Sequence, residues 1–196
     1  PGYVGGVLAQ KKDFTNQEGR LLALLPVSIL GGIVGAWLLT RTSDAAFRGL
    51  IPYLVLGACL MLALQDKIRA MLQRRFARIG LAWAILPVFV AAIYGGFFGV
   101  AVSIMFLAMV GLTIDDTLLR LNALKQAMSL ACNTAAALYF AIGATVVWSA
   151  AGVMAAGALL GGWAGGRAAG RVSEPTLRLM VITVGLIVAA MFALGW

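Results

Sequence analysis

Residues 79–111 read IGLAWAILPVFVAAIYGGFFGVAVSIMFLAMVG, which is 33 positions without a charged side chain. A helix needs about 20 apolar residues to cross the hydrocarbon core of a bilayer. The stretch is longer than that, and it contains Pro87 followed by the run GGFFG at 95–99. Breaks and kinks in helices concentrate at proline and glycine. We therefore predict two helical pieces separated by a glycine-rich break.

The composition of the whole chain is that of a membrane protein. Of 196 residues, 62% are hydrophobic and 11% are charged, whereas a soluble domain has about a quarter of its residues charged. Lipid must therefore solvate most of the exterior. The net charge of +8 is concentrated in short connections, which argues against nucleic-acid binding. We expect an all-α, polytopic integral membrane helical bundle.

The other apolar segments supply the remaining helices. We predict these at 21–40, 49–64, 118–142, 148–166 and 178–195, with residues 1–10 as the tail of a further spanning helix.

One connection is distinctly basic. The segment QDKIRAMLQRRFAR at 65–78 has five basic residues against one acid, and positive loops stay on the cytoplasmic side. It is predicted to be a cytoplasmic linker, and the helix before it is predicted to carry Pro52 in its first turn, where proline is tolerated. We expect a multi-pass protein of the inner (plasma) membrane.

A repeat connects two distant parts of the chain. Residues 30–48, LGGIVGAWLLTRTSDAAFR, align without gaps to residues 160–178, LGGWAGGRAAGRVSEPTLR, with seven of nineteen positions identical. The shared loop R-x-S-[DE]-x-x-x-R is too specific to follow from glycine and leucine content. Such repeats are typical of secondary transporters. We divide the chain into a first repeat (1–64), the basic linker (65–78) and a second repeat (79–196).

The two repeats are predicted to have opposite orientations in the bilayer. The loop at 9–20 is basic, whereas its counterpart after the helix at 118–142 carries no charge. Because positive charge favours the cytoplasmic side, corresponding loops of opposite character indicate opposite faces. The loops at 41–48 and 167–178 are therefore expected on opposite sides of the membrane.

The repeat also predicts a missing segment. At an offset of 130 positions, Pro1 corresponds to Ala131, so the counterpart of residues 79–130 is not in this sequence. Repeat symmetry then implies about 50 absent residues in the first repeat.

The sequence contains no pattern of an enzyme. It has no histidine, nucleophile–base pair, metal-ligand cluster or phosphate-binding glycine–lysine loop. Cys59 and Cys132 both lie in apolar segments and are interpreted as small core residues. We expect no catalytic residue, no metal and no cofactor.

Lys125 is the one charged residue well inside a predicted helix rather than in a connection or at a helix end. Polar residues at spacings of four, three and four place one stripe on that helix: Asn122, Gln126, Ser129 and Asn133. Ionisable residues inside membrane helices are functional candidates, and amides with a cation and no acid suit an anion. The alternative is that Lys125 extends to the membrane interface while the amides bond neighbouring helices.

The glycine-rich break supplies a second set of candidates. Glycines at a break let backbone N–H groups face a cavity, and the next half-helix begins with the positive end of its dipole. The candidates are Tyr94, Gly95, Gly96, Gly99 and Ser103. We expect this break to converge with Lys125 and Asn133 near the middle of the bundle. The alternative is a kink that serves packing alone.

Three segments carry a resemblance that covers essentially the whole chain. They are YGGFFGVAVS (94–103), LNALKQAMSLACNTAAALYFAIG (121–143) and ALLGGWAGGRAAGRV (158–172). Together they resemble the TauE/SafE family of sulfite and organosulfur anion exporters. In that family the second segment carries a lysine and, eight residues later, an asparagine, which match Lys125 and Asn133. The resemblance implies export of sulfite, a sulfonate or a related sulfur oxyanion.

Two functions from different classes follow. The first is a secondary transporter or exporter of a small anion. The second is a non-transporting membrane scaffold, or subunit of a membrane complex, whose glycine-rich faces serve assembly. The expected partners are a small anionic substrate and the lipid bilayer, with no nucleic acid, and both functions are compatible with a homodimer. Anion-dependent stabilisation of the purified protein separates the two.

Overall fold

The computed structural model describes residues 3, 7–8, 10–74, 80–114, 116–143, 146–157 and 174–193. Within these ranges every regular element is a helix, which confirms the all-helical architecture. A 3-10 turn at Lys11–Phe14 precedes α1 (Glu18–Arg41), α2 (Asp44–Arg74), α3 (Leu81–Phe97), α4 (Val102–Thr113), α5 (Leu118–Gly143), α6 (148–157) and α7 (Glu174–Ala193).

Helix α1 packs against both α3 and α5, and its glycines bring the backbones into contact. A Cβ at Gly32 would lie 2.6 Å from the carbonyl oxygen of Cys132 on α5. A Cβ at Gly96 on α3 would meet the carbonyl oxygen of Gly32 in turn. At Gly35, a side chain would collide with the backbone of Ile93. Small residues permit this close approach, on which helix association in a bilayer depends.

Apolar side chains fill the space enclosed by α1, α3, α4 and α5. The largest fully buried ones are Leu24, Val88, Val102, Phe106, Val110, Leu121, Leu124 and Met128. Those contributed by α4 recur every four residues and so lie on one helical face. Although α4 is short, it is therefore an integral part of the core.

One end of the bundle is held together by hydrogen bonds between elements. The N–H of Gly80, before α3, donates to the carbonyl of Thr113, the last residue of α4, at 3.2 Å. Arg120, in the first turn of α5, donates to the carbonyl of Thr15, just before α1, at 2.8 Å. We call this end, defined by these four residues, the basic end, because Lys11 and Lys12 lie beside it in the chain.

At the opposite end, α1, α3 and α5 finish around one cavity that Leu39, Phe97 and Phe140 help to line. We call this the cavity end. Helices α1, α3 and α5 therefore run parallel to one another, and α4 runs back between the two ends.

Helices α2 and α7 pack against each other and form a more exposed pair. The rings of Phe47 and Phe97 lie 6.0 Å apart, and the hydroxyl of Tyr94 donates to the carbonyl of Leu54 at 3.3 Å. The later residue of α2, Leu54, contacts the earlier residue of α3, Tyr94, so the two helices are antiparallel. Helix α2 therefore returns from the cavity end towards the basic end. Many large apolar side chains of α2 and α7 are exposed, as on helices whose outer face meets lipid.

Within the part of the chain that the structure describes, two helical segments are long and apolar enough to cross a bilayer, Glu18–Arg41 and Asp44–Leu64. Shorter apolar helices occupy Leu81–Phe97, Val102–Thr113 and Ile182–Met191. The architecture of the described residues is consistent with a helical membrane protein.

The start of α2 differs from the sequence prediction. The helix begins at Asp44, and Pro52 lies inside it rather than in its first turn. Ser43 caps this start, because its Oγ accepts a hydrogen bond from the N–H of Ala46 at 3.3 Å. Asp44 adds a negative charge at the positive end of the helix dipole. The repeated S-[DE] pair is thus a helix-start signal that the hydropathy pattern concealed.

The linker predicted at 65–78 is also largely helical, since α2 continues through Arg74. Its 31 residues span about 46 Å at 1.5 Å per residue, which exceeds the roughly 30 Å of a bilayer core. The last turns, with Lys67, Arg69 and Arg74, can leave the apolar layer while remaining helical. A loop is therefore not needed to keep these charges out of lipid.

Much of the second repeat copy lies outside the described residues, including 158–173 and with them most of the loop predicted at 167–178. Within the described residues, Asp44 and Glu174, which the 130-residue offset aligns, are both helical. The inverted orientation of the repeats stays a prediction.

We predict that Gly32→Ala destabilises the protein by about 1–3 kcal/mol, the usual cost of overpacking. The added Cβ would push against the backbone of Cys132, which cannot rotate away. Thermal unfolding in detergent, followed by tryptophan fluorescence, measures the change. Gly57→Ala is the matched control, since Gly57 lies in a helix with nothing within 4 Å of its Cβ position. Equal melting temperatures for the two variants would contradict the packing argument.

Candidate functional site

Helices α3 and α4 are separated by residues 98–101, where the backbone twice adopts left-handed conformations. Phe98 has φ −123° and ψ −30°, and Gly99 follows with φ +78°. Ala101 has φ 60° and ψ 2°, a conformation that strains any residue with a Cβ. This segment reverses the chain, so that α4 returns beside α3.

The break presents unusual backbone donors. The N–H of Phe98 still belongs to α3, since it donates to the carbonyl of Tyr94 at 2.9 Å, so the donors that the break can offer to an anion begin at the left-handed Gly99. The first N–H groups of α4, at Val102 and Ser103, also lie before any acceptor within their own helix.

A cavity of about 300 Å³ opens beside the break at the cavity end. It is lined by Leu39, Gly95, Gly96, Phe97, Phe98, Gly99, Asn133, Ala136, Ala137 and Phe140. The wall is largely apolar and aromatic, and its polar groups are the Asn133 amide and the backbone of the break. None of these lining residues is charged.

Three of the predicted residues form a polar strip between α4 and α5. The Nδ2 of Asn133 donates to the carbonyl of Ser129 at 2.8 Å. The hydroxyl of Ser129 is fully buried and lies 3.3 Å from the hydroxyl of Ser103. Since an amide has two N–H donors and an acceptor oxygen, the bond to Ser129 orients Asn133 and leaves capacity for a ligand.

Lys125 is not among the residues that line this cavity, contrary to the expected convergence. It lies eight residues before Asn133, which is about 12 Å along the helix axis towards the basic end. Asn122 and Gln126 lie in the same part of α5, and all three side chains are half-buried. These residues recur on one face of α5, but the rise of the helix separates Lys125 from Asn133.

The glycines of the break have different roles. A Cβ at Gly95 would lie 2.5 Å from Cγ2 of Val102 and 3.1 Å from Sγ of Cys132, so packing alone requires glycine there. The same is true of Gly96, against α1. Gly99 has space around it and is glycine because of its positive φ. Of the three, Gly99 is therefore the one free to approach a ligand.

Tyr94 contacts α2 and is not a lining residue. The apolar wall of the cavity was not predicted from the sequence, although part of it was detectable. Ala136, Ala137 and Phe140 follow Asn133 by three, four and seven residues, positions that share one helical face. No sequence signal indicated Leu39, because it comes from another helix.

Comparisons with known proteins agree with a transport role. A family model described as "Sulfite exporter TauE/SafE" matches residues 1–192. A protein of Haemophilus influenzae named "Probable membrane transporter protein" is 28% identical over 201 residues, covering 98% of this chain and 78% of that protein. No solved structure matches the chain significantly.

The cavity predicts a specific pattern of cysteine reactivity. Ala137→Cys should react with a small water-soluble thiol reagent, because Ala137 lines the cavity and is exposed. Native Cys132 lies five residues earlier but is fully buried, so it should stay unreacted in the folded protein. Mass spectrometry after brief labelling in detergent distinguishes the two thiols. Labelling of Cys132 at the rate of Ala137→Cys would show that the packing around the cavity is different.

Proposed function

The chain belongs to the sulfite exporter TauE/SafE family, and on that premise we propose that it is a secondary transporter that exports a small anion. The proposed substrate is sulfite, a sulfonate or a related sulfur oxyanion. The observation that carries the proposal is that the Asn133 amide and the left-handed break at Gly99 line the same cavity. Both are donor groups, and neither needs a metal or a cofactor to bind an oxyanion.

The cavity would bind an anion through hydrogen-bond donors, because none of its lining residues carries a full positive charge. Uncharged N–H groups can replace the hydration shell of an oxyanion, as helix starts and backbone nests do elsewhere. The carbonyls at the end of α3, near Phe97, oppose this because a helix C-terminus is the negative end of its dipole. The donors at Gly99 and Asn133 have to outweigh them, so binding should be weak enough for release.

The apolar wall supports a substrate with an organic part. Phe97, Phe98, Phe140 and Leu39 are among the residues that line the cavity. Binding pockets for small molecules combine such surfaces with a few polar groups that set orientation. A sulfonate has both an oxyanion head and a carbon chain, whereas sulfite has only the head. We therefore propose that sulfonates bind this cavity at least as well as sulfite.

In this proposal, Lys125 lies on the path of the anion from the basic end to the cavity, and not in the cavity itself. Its position on α5 lies between the basic end and Asn133. A positive charge at that depth lowers the cost of bringing an anion between the helices. The polar strip of Ser103, Ser129 and Asn133 would then lead from Lys125 to the cavity.

The orientation of the bundle completes the proposal. The basic end, with the basic last turns of α2 directed towards it, would be cytoplasmic under the positive-inside rule. The cavity would then open towards the outside, which is the side of release for an exporter. Inverted repeats would supply the second, inward-open state.

Asn133→Ala should lower sulfonate and sulfite transport by roughly 10- to 100-fold, since a hydrogen bond to a charged group contributes about 1.5–3 kcal/mol. Proteoliposomes loaded with sulfite, sulfate or taurine provide the measurement. Asn122→Ala is the matched control, because Asn122 lies on the same helix but does not line the cavity. If both variants lose transport equally, the cavity is not the substrate site.

Lys125→Met should abolish transport while leaving the protein folded, and Lys125→Arg should retain part of it because the charge remains. The two sites can be separated by substrate protection of Ala137→Cys against thiol labelling. Protection should persist in Lys125→Met and be lost in Asn133→Ala. Normal transport by Lys125→Met would remove the lysine from the proposal. If no tested anion is transported or stabilises the protein, the scaffold function becomes the better explanation.

A further inference from the structure

A charged cluster at the basic end joins the start of α1 to the start of α5. Arg20 forms an ion pair with Asp116, and Arg120 lies 3.5 Å from the same carboxylate oxygen. The other oxygen of Asp116 accepts a hydrogen bond from the N–H of Thr117 at 2.7 Å. The Asp116 side chain is only 8% exposed, so this carboxylate is enclosed by its partners.

Gln17 extends the cluster into the protein. Its side chain is fully buried, and Nε2 donates to the carbonyls of Asp13 at 2.6 Å and Arg120 at 3.2 Å. Its Oε1 accepts a hydrogen bond from Arg20 at 3.3 Å. The bond to Arg120 ties the segment before α1 to the first turn of α5, and the bonds with Asp13 and Arg20 hold the Gln17 side chain in place for it.

The cluster keeps its charge at neutral pH. Burial on its own would raise the pKa of Asp116, but the hydrogen bonds from Arg20 and Thr117 and the charges of Arg20 and Arg120 outweigh it. They hold the pKa of that carboxyl below its ordinary value. One carboxylate neutralises one of the two arginines, so a positive charge remains to attract an anion from this side.

The cavity end is built differently. The hydroxyls of Thr40 and Thr42 bond back to carbonyls of their own helix, at Trp37 and Leu38, each at 2.8 Å. Beside them, the cavity separates the last turn of α1 from the ends of α3 and α5. One end of the bundle is therefore cross-linked by polar contacts, while the other is open.

We propose that Gln17, Arg20, Asp116 and Arg120 form the gate that closes the basic end of the transport pathway. The structure is then the state that is open at the cavity end. This inference rests on the proposed function, because a gate has a role only if a solute crosses the bundle. Alternating access requires one end to be closed while the other is open.

The exposure of the arginines fits a gate that opens repeatedly. Arg20 is 28% exposed and Arg120 is 33% exposed, so water already competes for both guanidinium groups. Ion pairs of this kind add little to stability, since separation returns the charges to solvent. The fully buried apolar layer of Leu24, Leu121 and Leu124 lies further inside and completes the seal.

The first test measures which end is open without needing a substrate. In a background with Cys59→Ala and Cys132→Ala, the Ala137→Cys thiol is labelled by a membrane-impermeant reagent from the cavity-end side. Asp116→Asn weakens the gate, so labelling from that side should fall about threefold or more as the population shifts. Asp13→Asn is the matched control, because Asp13 contributes only its backbone carbonyl to the cluster. Unchanged labelling in a folded Asp116→Asn protein overturns the proposal.

The second test locks the gate instead of weakening it, and it applies even if Asp116→Asn fails to fold. Arg20→Cys and Asp116→Cys are combined and joined by a short, reducible bifunctional thiol reagent in the same cysteine-free background. Joining should abolish sulfite efflux from proteoliposomes, and reduction should restore it. The single-cysteine variants treated with the same reagent control for loss of the ion pair. Full transport by the cross-linked protein overturns the gate.

The two experiments also separate this inference from the proposed function. If Asp116→Asn changes the labelling of Ala137→Cys but no anion is transported, the gate is supported and the substrate assignment fails. If transport persists while neither the Asp116→Asn substitution nor the cross-link has an effect, the gate fails and the transporter remains.

Discussion

The structure depends on the backbone contact of α1 with α3 and α5. Lipid is as apolar as a leucine side chain, so helices in a bilayer gain little from hiding apolar surface from one another. They gain instead from close dispersion contacts, which small residues maximise. The small residues on α1 are Gly31, Gly32 and Gly35. On α3, Gly96 packs against Gly32. Any side chain at Gly32 or Gly96 would force the helices apart at the point where the bundle is tightest.

The cavity lies directly beside that contact. Helix α3 ends at Phe97, one residue after Gly96 meets α1, and the left-handed Gly99 lets the chain turn back. The returning α4 fills the core with Val102, Phe106 and Val110, but the turn itself leaves a space that side chains do not fill. The tightest packing of the bundle and its candidate binding site therefore lie within one helical turn of each other. Substitutions at this place have to be tested for stability and for transport separately.

The difference between the two ends gives the bundle a direction. Polar cross-links hold the basic end, and the cavity occupies the other. A protein that moves a solute across a membrane needs two such ends that exchange roles, and internal repeats provide a route to that exchange. The partly exposed arginines suit a gate at the basic end, because their weak ion pairs can separate when that end opens.

The sequence by itself determined the helical fold and the family, because hydropathy, helical periodicity and local motifs are properties of neighbouring residues. It failed where the outcome depended on contacts between distant segments. Hydropathy placed a loop at 65–78, but a helix can carry charge beyond the lipid without unfolding. Only the tertiary structure separated Lys125 from the cavity, assigned Gly95 and Gly96 to packing, and brought Leu39 to the site. It alone joined Arg20 to Asp116, because these residues are 96 positions apart and meet only when α1 lies against α5.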